Sequence, residues 1–181
     1  MGVVWLLKAS RVIDAINDKF AVIAIWLVLV ACLISTGNAI SRYLFSIGSN
    51  AWLEVQWYMF AAIVFLGAPH TLKVNGHVRV DLFYSAASER GRIWIDILGG
   101  LLFLLPMCAI LVYFTWPWFV ESWRINEFSS NAGGLVRWPV KLMLPLGFAL
   151  MALQGVSEII KRVAALTDSY RPQYRYETPV Q

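Results

Sequence analysis

Four residues have types and positions that suggest chemistry beside apolar sequence: Arg42, Glu54, His70 and His77. A carboxylate bordering a hydrophobic run can exchange protons, and Glu54 is the only such candidate close to the core of one. Arg42 and Glu54 flank one short connection, which makes them natural ion-pair partners. Such a pair either fixes a helical hairpin or meets a partner protein. His70 and His77 raise the possibility of haem, because paired histidines can hold its iron. Seven residues apart on one continuous helix, they stand about 10.5 Å apart along the axis on the same face. They cannot approach one iron from opposite sides, and the chain has no third histidine. Cys32 and Cys108 lie inside apolar runs and read as small hydrophobes. There is no nucleophile–base pair, phosphate loop or metal-spaced cluster. The sequence therefore points to no enzyme and no cofactor.

The elements that must position these residues are membrane helices. Of 181 residues, 59% are apolar and only 14% charged. Hydrophobic runs longer than about 18 residues read as transmembrane helices, since about 20 residues cover a ~30 Å hydrocarbon core. Four such runs occur, at roughly Phe20–Leu44, Trp52–Leu72, Ile93–Trp118 and Leu135–Ile160. The short alternating segments of a transmembrane barrel are missing. Val3–Leu7 is too short for the apolar core of a cleavable signal. Leu6 stands where a myristoylation site needs Ser or Thr.

Charge sets the direction. The formal net charge of +4 is no nucleic-acid signature here. Eleven of the fifteen Lys and Arg residues fall before Phe20, in the 73–92 connection or after Ile160. The positive-inside rule then places both termini and that connection in the cytoplasm. The expected organisation is a weakly amphipathic N-terminal segment (1–19), a four-helix transmembrane domain (20–162) and a cytoplasmic tail (163–181). Gly76 and Gly91 bracket Asp81–Arg90, which reads as a short helix lying in the interface plane. The short Ser46–Ala51 connection makes the first two spans an antiparallel hairpin.

On the other side, Glu121–Arg137 forms a loop around Asn131–Gly134, and Trp138-Pro139 suits a helix start. Glu121, Arg124, Glu127 and Arg137 are expected to face outward there, within reach of a charged partner. Trp52, Trp57, Tyr58, Trp94, Trp116, Trp118, Trp123 and Trp138 form aromatic belts at span ends. Pro106 and Pro145 read as packing kinks. Ala24, Ala31, Ser35, Asn38 and Ala39 make a small or polar stripe that should face another helix, with Ser35, Thr36 and Asn38 bonding across it. Gly99-Gly100 offers a similar face. The spans keep their charges near their ends, so no ionisable cluster is expected within them.

These residues carry a resemblance. Glu54-x-Gln56-Trp57, Phe65-Leu66-Gly67-Ala68, Gly76-His77-Val78-Arg79-Val80-Asp81 and Gly133-Gly134-Leu135 with Pro145-x-Gly147 are similar to one pattern. It is that of the small membrane subunit of tripartite ATP-independent periplasmic (TRAP) transporters, from the first span to about Arg162. The resemblance implies an all-α integral membrane protein of the bacterial inner membrane, in a sodium-coupled importer of organic acids. It implies a non-catalytic scaffold for a large multi-span permease that also helps dock a periplasmic substrate-binding protein. No cofactor or metal is implied. Arg42, Glu54, Gln56, Trp57, Gly67, Gly76, His77, Arg79, Asp81, Gly134 and Trp138 become structural or partner-contact residues, with Arg79 placed to meet anionic lipid headgroups. The competing reading from another class is a self-sufficient four-helix proton-coupled exporter that uses Glu54.

Overall fold

The computed structural model describes residues 2–77, 84, 86–167 and 170. Four long helices account for most of them: α1 (Gly2–Phe45), α2 (Asn50–Lys73), α3 (Glu89–Arg124) and α4 (Trp138–Leu166). Each is long and apolar enough to cross a membrane.

The ends of these helices differ from the sequence expectation. Helix α1 passes Phe20 without a break, so residues 2–19 are continuous with the first span. No glycine or proline interrupts the chain between Val3 and Thr36, and nothing else there stops a helix. At about 1.5 Å per residue, the 44 residues of α1 run about 66 Å, roughly twice a bilayer core. Of the in-plane helix expected over Asp81–Arg90, residues 81–83 and 85 lie outside the described residues. Glu89 and Arg90 form the first turn of α3. The Ser88 hydroxyl caps that turn by accepting the Gly91 N–H at 3.2 Å.

Helices α2 and α3 end alike. Asn75 and Asn126 adopt left-handed φ values of 57° and 48°. The next N–H then turns back, from Gly76 to the Thr71 carbonyl at 2.9 Å and from Glu127 to the Ser122 carbonyl at 3.0 Å. This closure satisfies carbonyls that a helix end leaves open, and asparagine tolerates the left-handed region. Inside α3, residues Gly100–Leu104 widen into a π turn just before Pro106. Proline cannot donate to the carbonyl four residues earlier, and a wider turn accommodates its ring.

Helix α4 is central. It packs against α1, α2 and α3; α1 and α2 also pair, while among the described residues α3 has α4 as its one extensive neighbour. Ala24, Leu66 and Leu150 form the shared core, flanked by Phe20, Ala62 and Leu146. A Cβ at Gly147 would fall 2.5 Å from the Phe65 Cβ, so only glycine lets α2 and α4 approach this closely. Phe65 and Phe148 pack edge to face beside it at 5.5 Å. The small-residue stripe on α1 divides in two: Ala24 and Ala31 are buried, whereas Ser35 and Ala39 are exposed. Thr36 donates to the Cys32 carbonyl of its own helix and not across a contact. The stripe is covered only where α2 and α4 reach it.

Candidate functional site

Polar side chains gather at the two ends of the bundle. At the hairpin end, residues 125–137 fold back on themselves through an isolated bridge between Phe128 and Val136. Arg137 N–H donates to the Glu127 carbonyl at 2.8 Å, and Ser129 N–H to the Leu135 carbonyl at 2.9 Å. Helix α2 grips this loop from one face. Asn50 Nδ2 donates to the Ala132 carbonyl at 3.0 Å. Glu54, four residues later and so on the same face, is only 3% exposed. One Glu54 oxygen accepts from the Ser129 hydroxyl and from Asn131 Nδ2 at 2.8 Å; the other accepts the Leu135 N–H at 2.7 Å. Gly134 makes this possible, because a Cβ there would lie 2.5 Å from the Ser129 Cβ and 3.0 Å from the Asn131 carbonyl.

Glu54 therefore does not pair with Arg42, which is exposed. The carboxylate faces the 125–137 loop, and the donors it meets come from there. A second contact steadies the same loop. Glu127 binds Lys141, whose ammonium sits 4.4 Å from the centre of the Trp118 ring. Arg137 approaches Glu127 at 3.7 Å. The Lys141 ammonium, and after it the Ser122 hydroxyl, hold the Glu127 carboxyl below the ordinary carboxylate range. Of the four residues expected to face outward, Glu121 and Arg124 do, in an exposed pair at 3.6 Å. Glu127 faces inward, because Lys141 on α4 draws it there.

At the connection end, three groups tie the helices together. Lys161 on α4 binds Asp14 on α1 at 2.8 Å and Glu158 at 2.7 Å. Around it, Asn17 donates to Gln154 at 2.7 Å, Ser157 donates to Asp14 at 2.8 Å, and the Ser10 and Ser157 hydroxyls meet at 2.7 Å. Asn17, Gln154 and Ser157 are fully buried. Asp18 on α1 takes Lys73 at 2.7 Å and His70 at 3.1 Å from α2. Asp96 on α3 takes Arg162 on α4 at 3.2 Å.

The sequence reading does not anticipate the ionisable cluster around Lys161, which gathers at the span ends, where that reading keeps its charges. The cluster forms because α1 stays helical through Asp14 and carries that carboxylate along α4. Its signal was present in the sequence: Ser10, Asp14 and Asn17 share one helical face, as do Gln154, Ser157, Glu158 and Lys161.

The remaining expected positions are scattered. Gln56 Nε2 donates to the Trp52 carbonyl of its own helix at 3.1 Å. Trp57 is exposed, and Trp138 opens α4. Gly67 lies beside Ala24. Gly76 follows the left-handed residue at the end of α2, and His77 lies beyond the helix, exposed. His70 and His77 thus do not share a continuous helix, and His70 is engaged by Asp18. Arg79 and Asp81 lie outside the described residues. Among the described residues, no group of three His, Cys, Asp or Glu side chains could hold a metal ion.

Residues 31–165 match the model of a family described as tripartite ATP-independent periplasmic transporters, DctQ component. No curated protein matches the chain significantly.

Proposed function

The chain belongs to the DctQ-component family of tripartite ATP-independent periplasmic transporters, a multi-pass small permease subunit, and from that premise we propose how it serves its transporter. It is the non-catalytic scaffold of a sodium-coupled importer of organic acids in the bacterial inner membrane. It braces the large permease subunit along its exposed helix faces and offers the hairpin end to a periplasmic binding protein. Both termini lie in the cytoplasm, following the placement of Lys and Arg.

The observation that carries this reading is the state of Glu54. Both of its oxygens are engaged by donors of the 125–137 loop. A carboxylate held this way shapes a surface; a proton-coupled exporter needs one that exchanges its proton with water and substrate in turn. The Asp14–Lys161–Glu158 group likewise satisfies itself between α1 and α4. Movement of solute then falls to the larger companion.

Uptake measurements test this. Deleting the chain should abolish sodium-dependent uptake while the large subunit still reaches the membrane. The chain reconstituted alone in liposomes should support no flux. Proton-driven efflux by the chain alone, lost in Glu54→Gln, would establish the exporter instead.

A further inference from the structure

We propose that the open groove between α2 and α3 binds one phospholipid, with its phosphodiester against Arg162 and His70. The groove has a volume of about 1150 Å³ and uses residues from all four helices. Its walls are residues 21–28 of α1, 63–72 of α2, 95–104 of α3 and 151–162 of α4. At about 1.5 Å per residue these stretches are about 10–17 Å long. That is one leaflet, half of a ~30 Å hydrocarbon core. The length of the groove thus matches acyl chains that reach from one face of the bilayer to its middle.

The lining grades from apolar to polar as a lipid does. Val28, Val64, Leu104 and Met151 line the deep part, and His70, Thr71, Asp96, Glu158 and Arg162 line the end next to the 74–88 connection. Arg162 uses Nε for Asp96. Its two terminal nitrogens make no hydrogen bond among the described residues, and neither does Nε2 of His70. A guanidinium with a free edge is a good partner for a phosphodiester. Asp96 and Glu158 beside it are already engaged by Arg162 and Lys161, yet the negative charge they add disfavours a headgroup that carries no cation of its own. The end of the groove therefore complements a zwitterionic phosphoethanolamine headgroup better than a purely anionic one.

Two glycines agree. Glycine is a poor helix residue, yet a Cβ at Gly99 would meet nothing within 4 Å, and one at Gly67 would meet only the Ala24 Cβ at 3.9 Å. Both line the groove, and among the described residues no close neighbour requires either to be glycine. They leave the groove wide enough for acyl chains. The site requires only that the helices lie in a bilayer, so its failure would leave the transport reading untouched.

The test uses the full-length chain, co-expressed with its companion components, washed in mild detergent and weighed intact by native mass spectrometry. Wild type should retain phosphatidylethanolamine bound to this chain, in preference to phosphatidylglycerol supplied in equal amount. Gly67→Leu with Gly99→Leu fills the groove and should reduce retention about tenfold, with helicity unchanged by circular dichroism. Gly37 has the same open surroundings outside the groove, and Gly37→Leu should retain lipid like wild type. Arg162→Lys keeps the charge, removes the planar fork, and should also weaken retention. Equal retention by the filled variant overturns the proposal. So does preference for phosphatidylglycerol, displacement by inorganic phosphate alone, or a crosslink from Val64→Cys to a protein segment in place of lipid.

Discussion

At the hairpin end, Glu54 meets neutral donors that all come from one loop, whereas at the connection end Asp14 meets an ammonium carried by another helix. The first arrangement fixes the shape of a surface segment. The second fixes how far one helix slides along another, because Asp14 and Lys161 meet only when α1 and α4 are in register. A loop can be held by hydrogen bonds alone. Between two rods packed on apolar faces, a charge pair or buried amides add to close packing in choosing one register. On this comparison, loss of the inner contacts should loosen the whole bundle, and loss of the outer ones should loosen the loop only.

The largest effect is expected from Lys161→Met. It leaves Asp14 and Glu158 facing each other with little water, and removing one partner of a buried pair costs about 3–5 kcal/mol. Thermal unfolding in detergent should show the loss, and Asp14→Asn in the same chain should restore part of it. An unchanged melting temperature would mean that register is set by the apolar faces after all. Glu54→Gln comes next. Its amide N–H groups would oppose the donors of the loop, so residues 125–137 should become open to protease while the helices keep their melting temperature. If the helices melt early too, the two ends are not independent.

A smaller, pH-dependent effect should appear at Glu127. Its folded-state pKa is depressed by Lys141 and Ser122, so the ionised form stabilises the fold. That contribution is present above the ordinary value of 4.5 and disappears as pH falls through the lower folded value. Protease sensitivity of the loop should therefore rise in acid below that value, and Lys141→Met should flatten the dependence. The smallest effect is expected from Arg42→Ala. An exposed residue with no charged partner among the described residues should shift stability by no more than about 0.5 kcal/mol. A large loss on assembly with the companion subunit, with the isolated chain unharmed, would mark Arg42 as a contact residue.

Much of this architecture was legible from residue type alone. Four apolar runs became four helices because length and hydropathy are properties of a segment, readable without knowing its neighbours. Gly134 was legible as part of a tight loop. The partner of Glu54 was not: nearness in sequence suggested Arg42, but the α2 face that carries Asn50 and Glu54 is turned towards residues 129–135. The inner cluster escaped for a related reason. Its residues lie more than a hundred positions apart in the chain, and a break assumed at Phe20 separated Asp14 from the helix that delivers it to Lys161.

The sequence by itself determined four helices long and apolar enough to cross a membrane, because burial in lipid is decided by composition along each span. Only the tertiary structure decided which polar groups meet. That choice depends on the rotation and register of each helix about its own axis, and these are set jointly by close approaches such as Gly147 on Phe65 and by the continuity of α1.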